Sequence, residues 1–328
     1  MRHIYRFSLF LLIASLFFQE ATAQTNITAD KDNTIYEPGS LSNGVGENFF
    51  AGRSNFGAGS DKKRGLLHFD IAGSIPSGSV ISTVVLTLYM NRTFFGTAQT
   101  IDMHKLDIDW GESTSDAPGG EGGGAASAAN DASWLCAFDN GAGGCNTSWT
   151  TAGGDFSATV SASTSVAGIA SYTWPSTAQL VADVQNMLDD PSNNFGWILI
   201  GNEASTVTAK RFSSREGTTP PILTVTIEPV IYTVGGSVSG LAGSGLVLQN
   251  NAGDDLPITA DGSFTFTTPL VDGEPYAVTV LTQPAGLSQT CDVTNGNGTL
   301  VGADVTNVSV TCVSKPEEMF ADGFEDDL

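Results

Sequence analysis

The chain has few basic residues, few histidines, few cysteines and almost no helix-forming stretches, and each scarcity narrows what it does. Lys and Arg number 13 against 35 Asp and Glu in 328 residues, a formal net charge of −22. Nucleic acid and anionic membrane surfaces both call for basic protein surface, so neither is an expected partner. Beyond the N-terminal leader the histidines are His68 and His104 alone, both inside expected strands, and no G-x-S-x-G elbow occurs. A Ser or Cys nucleophile activated by histidine therefore has no candidate, and the chain is read as a non-enzyme. The 4 cysteines are not spaced as a zinc site. After the leader no apolar run reaches membrane-spanning length.

What is present is glycine (38 residues) with Ser, Thr, Val and Ala in short runs. That composition makes strands and turns, and the expected class is all-β. Met1–Ala23 reads as a secretory signal. Arg2 and Arg6 precede the apolar Phe7–Phe18, and Ala21-Thr22-Ala23 supplies the small-residue cleavage site. Export permits disulfides, and pairing within each sequence-local couple, Cys136–Cys145 and Cys291–Cys312, is the expected connectivity.

The main core is expected in Asp61–Met90. Leu66–Ile71 and Val80–Met90 are apolar runs separated by Ser74-Ile75-Pro76-Ser77-Gly78, a turn signal. Both faces of these runs carry apolar residues, the pattern of central strands. Asp109–Asn130 is a long Gly-rich loop, either disordered or functional. One helix is expected, with Ser176 as N-cap, Gln179 three residues on, and Leu180, Val184, Met187 and Leu188 as its apolar stripe. Lys and Arg are absent from Glu216 to Ser314, which places a domain boundary near residue 228. The expected organisation is a signal at 1–23, a β-sandwich over 24–228, a small Ig-like β-sandwich over 229–314 and an acidic tail over 315–328.

Two sets of residues carry candidate chemistry. Asp107, Asp109 and Glu112 cluster at the start of the long loop. They read as turn carboxylates, or as hard-oxygen ligands for Ca2+, the one cofactor the sequence suggests. The basic residues Arg53, Lys62, Lys63, Arg64, Lys210, Arg211 and Arg215 concentrate in short segments of an acidic chain. If the Lys62 and Lys210 segments meet on one face, they make a patch for carboxylate groups. Trp110, with Trp134 and Trp149, would supply rings that stack on sugars.

Four stretches, NFFAGR (48–53), KRGLLHFDIAGSIPSGSVISTVVLTLY (63–89), LDIDWGESTSDAPGG (106–120) and AKRFSSREGTTPPILTV (209–225), together resemble the DNRLRE family, which is related to family-96 carbohydrate-binding modules. The resemblance implies a jelly-roll-type β-sandwich in secreted or cell-surface proteins, some of which bind uronic-acid polysaccharides such as alginate. Residues 232–313 resemble a bacterial Ig-like surface repeat, through GGSVSGLAGSGLVLQNN, DGSFTF and YAVTVLTQP. The expectation is a non-catalytic protein that binds an acidic polysaccharide or another cell-surface glycan. The competing expectation is a structural or adhesive surface protein without a specific glycan.

Overall fold

Where Val, Ile, Leu and Phe dominate short runs the chain forms strands, and the computed structural model describes residues 23–55, 61–286 and 288–314. The expected signal, apart from Ala23, and the acidic tail at 315–328 lie outside these residues. The chain divides into two compact units at the Glu228–Pro229 junction. Among the described residues no helix is long and apolar enough to cross a membrane.

In the first unit the strands are β1 (Ala23–Thr28), β2 (Lys31–Tyr36), β3 (Leu41–Ser42), β4 (Asn48–Arg53) and β5 (Lys62–His68). A short helix α1 (Ile71–Ser74) leads to β6 (Ile81–Thr93) and β7 (Gln99–Leu106), then β8 (Ala125–Ala126), β9 (Cys136–Asp139) and β10 (Cys145–Ser148). β11 (Phe156–Val166), β12 (Ala170–Trp174), helix α2 (Ala178–Asp189), β13 (Trp197–Ile200), β14 (Lys210–Ser213) and β15 (Ile222–Ile227) complete it. One sheet runs β1-β15-β6-β14-β4, with β12 also on β6; the other runs β5-β13-β7-β11, with β2 also on β5. All of these pairs are antiparallel.

β4 belongs to both sheets. Asn48–Ala51 pair with β14, and Gly52-Arg53 pair with Lys63-Lys62 of β5. The switch is made at Gly52, whose φ of 112° disfavours any other residue and where a methyl group would stand 3.0 Å from the Ala209 backbone. Phe49, Leu86, Leu88, Met90 and Phe212 from one sheet share a core with Leu67, Met103, Trp197 and Leu199 from the other. Helix α2 adds Leu180, Val184, Met187 and Leu188, the expected stripe. Its N-cap is Thr177, whose Oγ1 accepts from Leu180 N; Ser176 instead accepts from Val84 N through Oγ. The cap moves by one residue because Ser176 is used to fasten the helix to β6.

The second sheet is buried on both sides. Leu66 and Ile198 alternate with Leu67, Trp197 and Leu199, and they join Ile35, Leu106, Trp110, Trp134, Ala137 and Trp149 in a separate core. The segment from 107 to 155 therefore folds as a cap over that face, and the Gly-rich stretch within it is an ordered part of the unit. The Cys136–Cys145 disulfide closes the β9–β10 hairpin of the cap.

The second unit is a smaller two-sheet sandwich, as its turn spacing implies. Val234–Ser239 lies between Gly262–Thr265 and, in parallel, Val305–Ser314, which also pairs with Gln289–Thr294. Leu246–Asn250 lies between Asp254–Ile258 and Pro275–Thr282 in the other sheet. Val238, Leu248, Phe264, Val278, Val308 and Val310 meet between them. Cys291 and Cys312 are bonded, and they face each other within one sheet rather than across the sandwich.

Candidate functional site

The strand pleat separates the Lys62-Lys63-Arg64 run. Lys62 and Arg64 project with Leu66 toward the cap, whereas Lys63 projects the other way. Arg64 makes a two-pronged ion pair with Glu203 (2.7 and 2.9 Å), donates to Gly153 O and lies 4.8 Å from the Trp134 ring. Lys62 pairs with Glu37 at 3.0 Å. Lys63 is buried against Tyr36 and donates to Ser54 Oγ and Asp61 O; burial pushes its pKa down to about 8. Arg53 reaches Glu203 O.

β4 brings the Lys62 and Lys210 segments within one strand of each other, but their side chains do not form the expected common patch. Lys210 is 1% exposed. Thr93 Oγ1, Phe95 O, Thr97 O and Ala167 O stand 2.9–3.0 Å from its Nζ and share its three N–H donors, an oxygen cage that satisfies the ammonium where no carboxylate is paired with it. Burial lowers its pKa. Trp110, Trp134 and Trp149 are core residues of the cap, with the indole N–H of Trp110 on Phe195 O and that of Trp149 on Ser133 O. They present no ring face to a sugar.

Asp107, Asp109 and Glu112 are directed to three different places, which corrects their reading as one ligand set. Asp109 pairs with Lys31 at 2.9 Å, and Glu112 with Arg215 at 2.8 Å. Asp107 lines an open depression of about 420 Å3 beside Asp155, whose carbonyl accepts from the Asp107 backbone N–H at 3.0 Å. Among the described residues no group of three His, Cys, Asp or Glu is placed to hold a metal ion. Each carboxylate of the set has a different neighbour because the chain turns sharply between them into the cap.

Arg215 instead organises a buried acidic cluster. Its guanidinium bonds Glu112 and Glu216, and its backbone N–H donates to Asp32 Oδ2 at 2.6 Å. Asp32 Oδ1 and Glu216 Oε2 are buried without partners. Burial pushes Glu112 up to about 7, against the pull of Arg215, and raises Asp32 well above its usual value.

Several basic residues form no ion pair among the described residues, Lys105 for one, and two of them lie together. Arg211 faces Arg92 directly across the β14–β6 pair. Arg211 donates Nε to Asn91 Oδ1, and Arg92 is exposed. Among the described residues neither forms an ion pair. Burial first, then the charge of Arg92, lowers the Arg211 pKa. The charges of Glu121 and Glu47 act on Arg211 in the opposite sense without bonding to it, and Glu121 is already bonded to Asn43 Nδ2 and to both nitrogens of Asn48. The Arg92 guanidinium lies close against Gly120: a methyl group there would stand 2.8 Å from Arg92 Nη1. Sequence reading missed Arg92 because it is an isolated basic residue; only strand pairing sets it opposite Arg211.

No protein-family model matches the chain, and a search of the curated proteins finds no match either. The case for function rests on the residues.

Proposed function

We propose that this is a secreted or surface-associated, non-catalytic carbohydrate-binding protein that takes an acidic polysaccharide of the uronic-acid type, with Arg92 and Arg211 as its carboxylate contacts. The observation that carries the reading is the directly opposed Arg92–Arg211 couple, which has no ion pair among the described residues, in a chain of net charge −22. Like charges facing each other across a strand pair destabilise it, and an anion between them reverses the sign. A guanidinium is suited to this because it holds a carboxylate by two parallel hydrogen bonds. The DNRLRE-like stretches, the leader-like N-terminus and the two disulfides support the same reading. The 107–155 depression does not compete for such a ligand, since Asp107 and Asp155 line it.

The test is affinity electrophoresis of the full chain through gels holding alginate, polygalacturonate or a neutral glucan. Retardation is expected in the two polyuronates alone and should fade as salt rises from about 0.05 to 0.5 M, where screening becomes short-ranged. Equal mobility in all gels would leave the structural or adhesive role as the better account.

A further inference from the structure

The cross-strand pair next to Arg92 and Arg211 is Thr93 and Lys210. Alternation sends the arginines to one side and Lys210 to the other, under the chain that leaves β6. There the ammonium ties Phe95 O and Thr97 O to Ala167 O, fastening the turn after β6 to the segment after β11. A second tie, Thr93 Oγ1 to Phe95 O at 2.7 Å, holds the same turn. This fastened turn displays Phe94 (72% exposed) and Phe95 (54% exposed), edge to face at 4.7 Å, and Ile169 (62% exposed) lies in the segment tied to it. The two rings contribute nothing to either core of the first unit, yet a buried lysine and four oxygen acceptors fix their backbone. Phe94 follows Arg92 by two residues, at most about 7 Å of extended chain.

We infer that the Phe94-Phe95 turn is a stacking platform that extends the Arg92–Arg211 site along the polysaccharide, so that one sugar's carboxylate meets the arginines while a neighbouring sugar's apolar face lies on a phenylalanine ring. This rests on the proposed binding of an acidic polysaccharide. Aromatic rings meet the C–H face of a pyranose without requiring charge, which complements the arginines. Because Lys210 orders the turn on folding, little flexibility remains to be lost on binding. The site is thereby matched to a chain of at least two sugars, not to a free monouronate.

The experiment titrates full-length wild type, F94S/F95S and R92A/R211A with galacturonate oligomers of increasing length by calorimetry, at two salt concentrations. Both phenylalanines are exposed, so F94S/F95S should keep the wild-type melting temperature. Expected is a loss of about tenfold in affinity for long oligomers, the size of one lost stacking contact, with unchanged affinity for the monomer and unchanged salt sensitivity. Wild-type affinity for long oligomers in F94S/F95S, alongside a loss in R92A/R211A, would overturn the platform and leave the arginine site standing. No binding by the wild type would overturn both.

Discussion

Replacing Glu112 with glutamine should raise stability at alkaline pH and leave it unchanged in acid. Glu112 and Glu216 pair with the single guanidinium of Arg215, Asp32 accepts from its backbone N–H, and two oxygens of these three carboxylates are buried without a partner. Glu112, whose side chain is 7% exposed, is pushed by burial from 4.5 up to about 7. A folded pKa above the unfolded one means that the folded chain holds the extra proton between those values. The resulting stability is fully present below about 4.5 and is lost as pH rises through about 7. At ~1.4 kcal/mol per pKa unit the ceiling is about 3 kcal/mol. Arg215 is 35% exposed and admits solvent to the cluster, which reduces this to roughly 1–2 kcal/mol. For a unit of this size that is roughly 2–8 °C in melting temperature. Thermal melts of full-length wild type should therefore fall from pH 5 to pH 8. The E112Q variant should match wild type at pH 4 and exceed it at pH 8, keeping only the slope contributed by Asp32. A variant destabilised equally at both pH values would refute the reasoning, because the Glu112–Arg215 pair would then be net stabilising.

Other expectations concern the cap and the lysine cage. Removing the Cys136–Cys145 bond as C136S/C145S, with its sequence separation of 9, should cost about 2.5 kcal/mol by loop closure. Limited proteolysis should then cut within 107–155 before the sandwich; unchanged resistance would show that the three tryptophans alone secure the cap. Substituting K210M removes the donor of Thr97 O and Ala167 O, leaves Phe95 O with Thr93 Oγ1 alone, and should destabilise the chain by about 2 kcal/mol in urea. A neutral effect there would mean that water replaces the ammonium and that the turn is not held by it.

The sandwich was legible where apolar residues occupy both faces of a strand. Leu66-Leu67 and Trp197-Ile198-Leu199 read as buried runs, and their two-sided burial is what the cap provides. β2 was not legible, because Asp32, Asn33 and Thr34 interrupt its apolar pattern while being fully buried. Asn33 Oδ1 accepts from Thr34 N, Ser42 Oγ and Asn43 N, and its Nδ2 donates to Gly111 O, so polar bonds take the place of apolar contacts. The Gly-rich loop has the composition of a disordered segment. It is ordered by single residues such as Asp131, which accepts from Ser113 N and Ala128 N, and by tryptophans packed on a strand far away in sequence. The basic segments were visible as composition, but their partners were not. Glu203 is 139 residues from Arg64, and the Lys210 cage draws on segments 43 to 117 residues away. Only the pairing of β14 with β6 sets Arg92 opposite Arg211.

The central claim is that Arg92 and Arg211 hold an anionic sugar, and calorimetric titration of wild type and R92A/R211A with alginate tests it most directly. The account predicts salt-sensitive binding by wild type and its loss in the double variant, with an equal or higher melting temperature once the opposed charges are gone. Alginate binding that survives R92A/R211A at wild-type strength would contradict it.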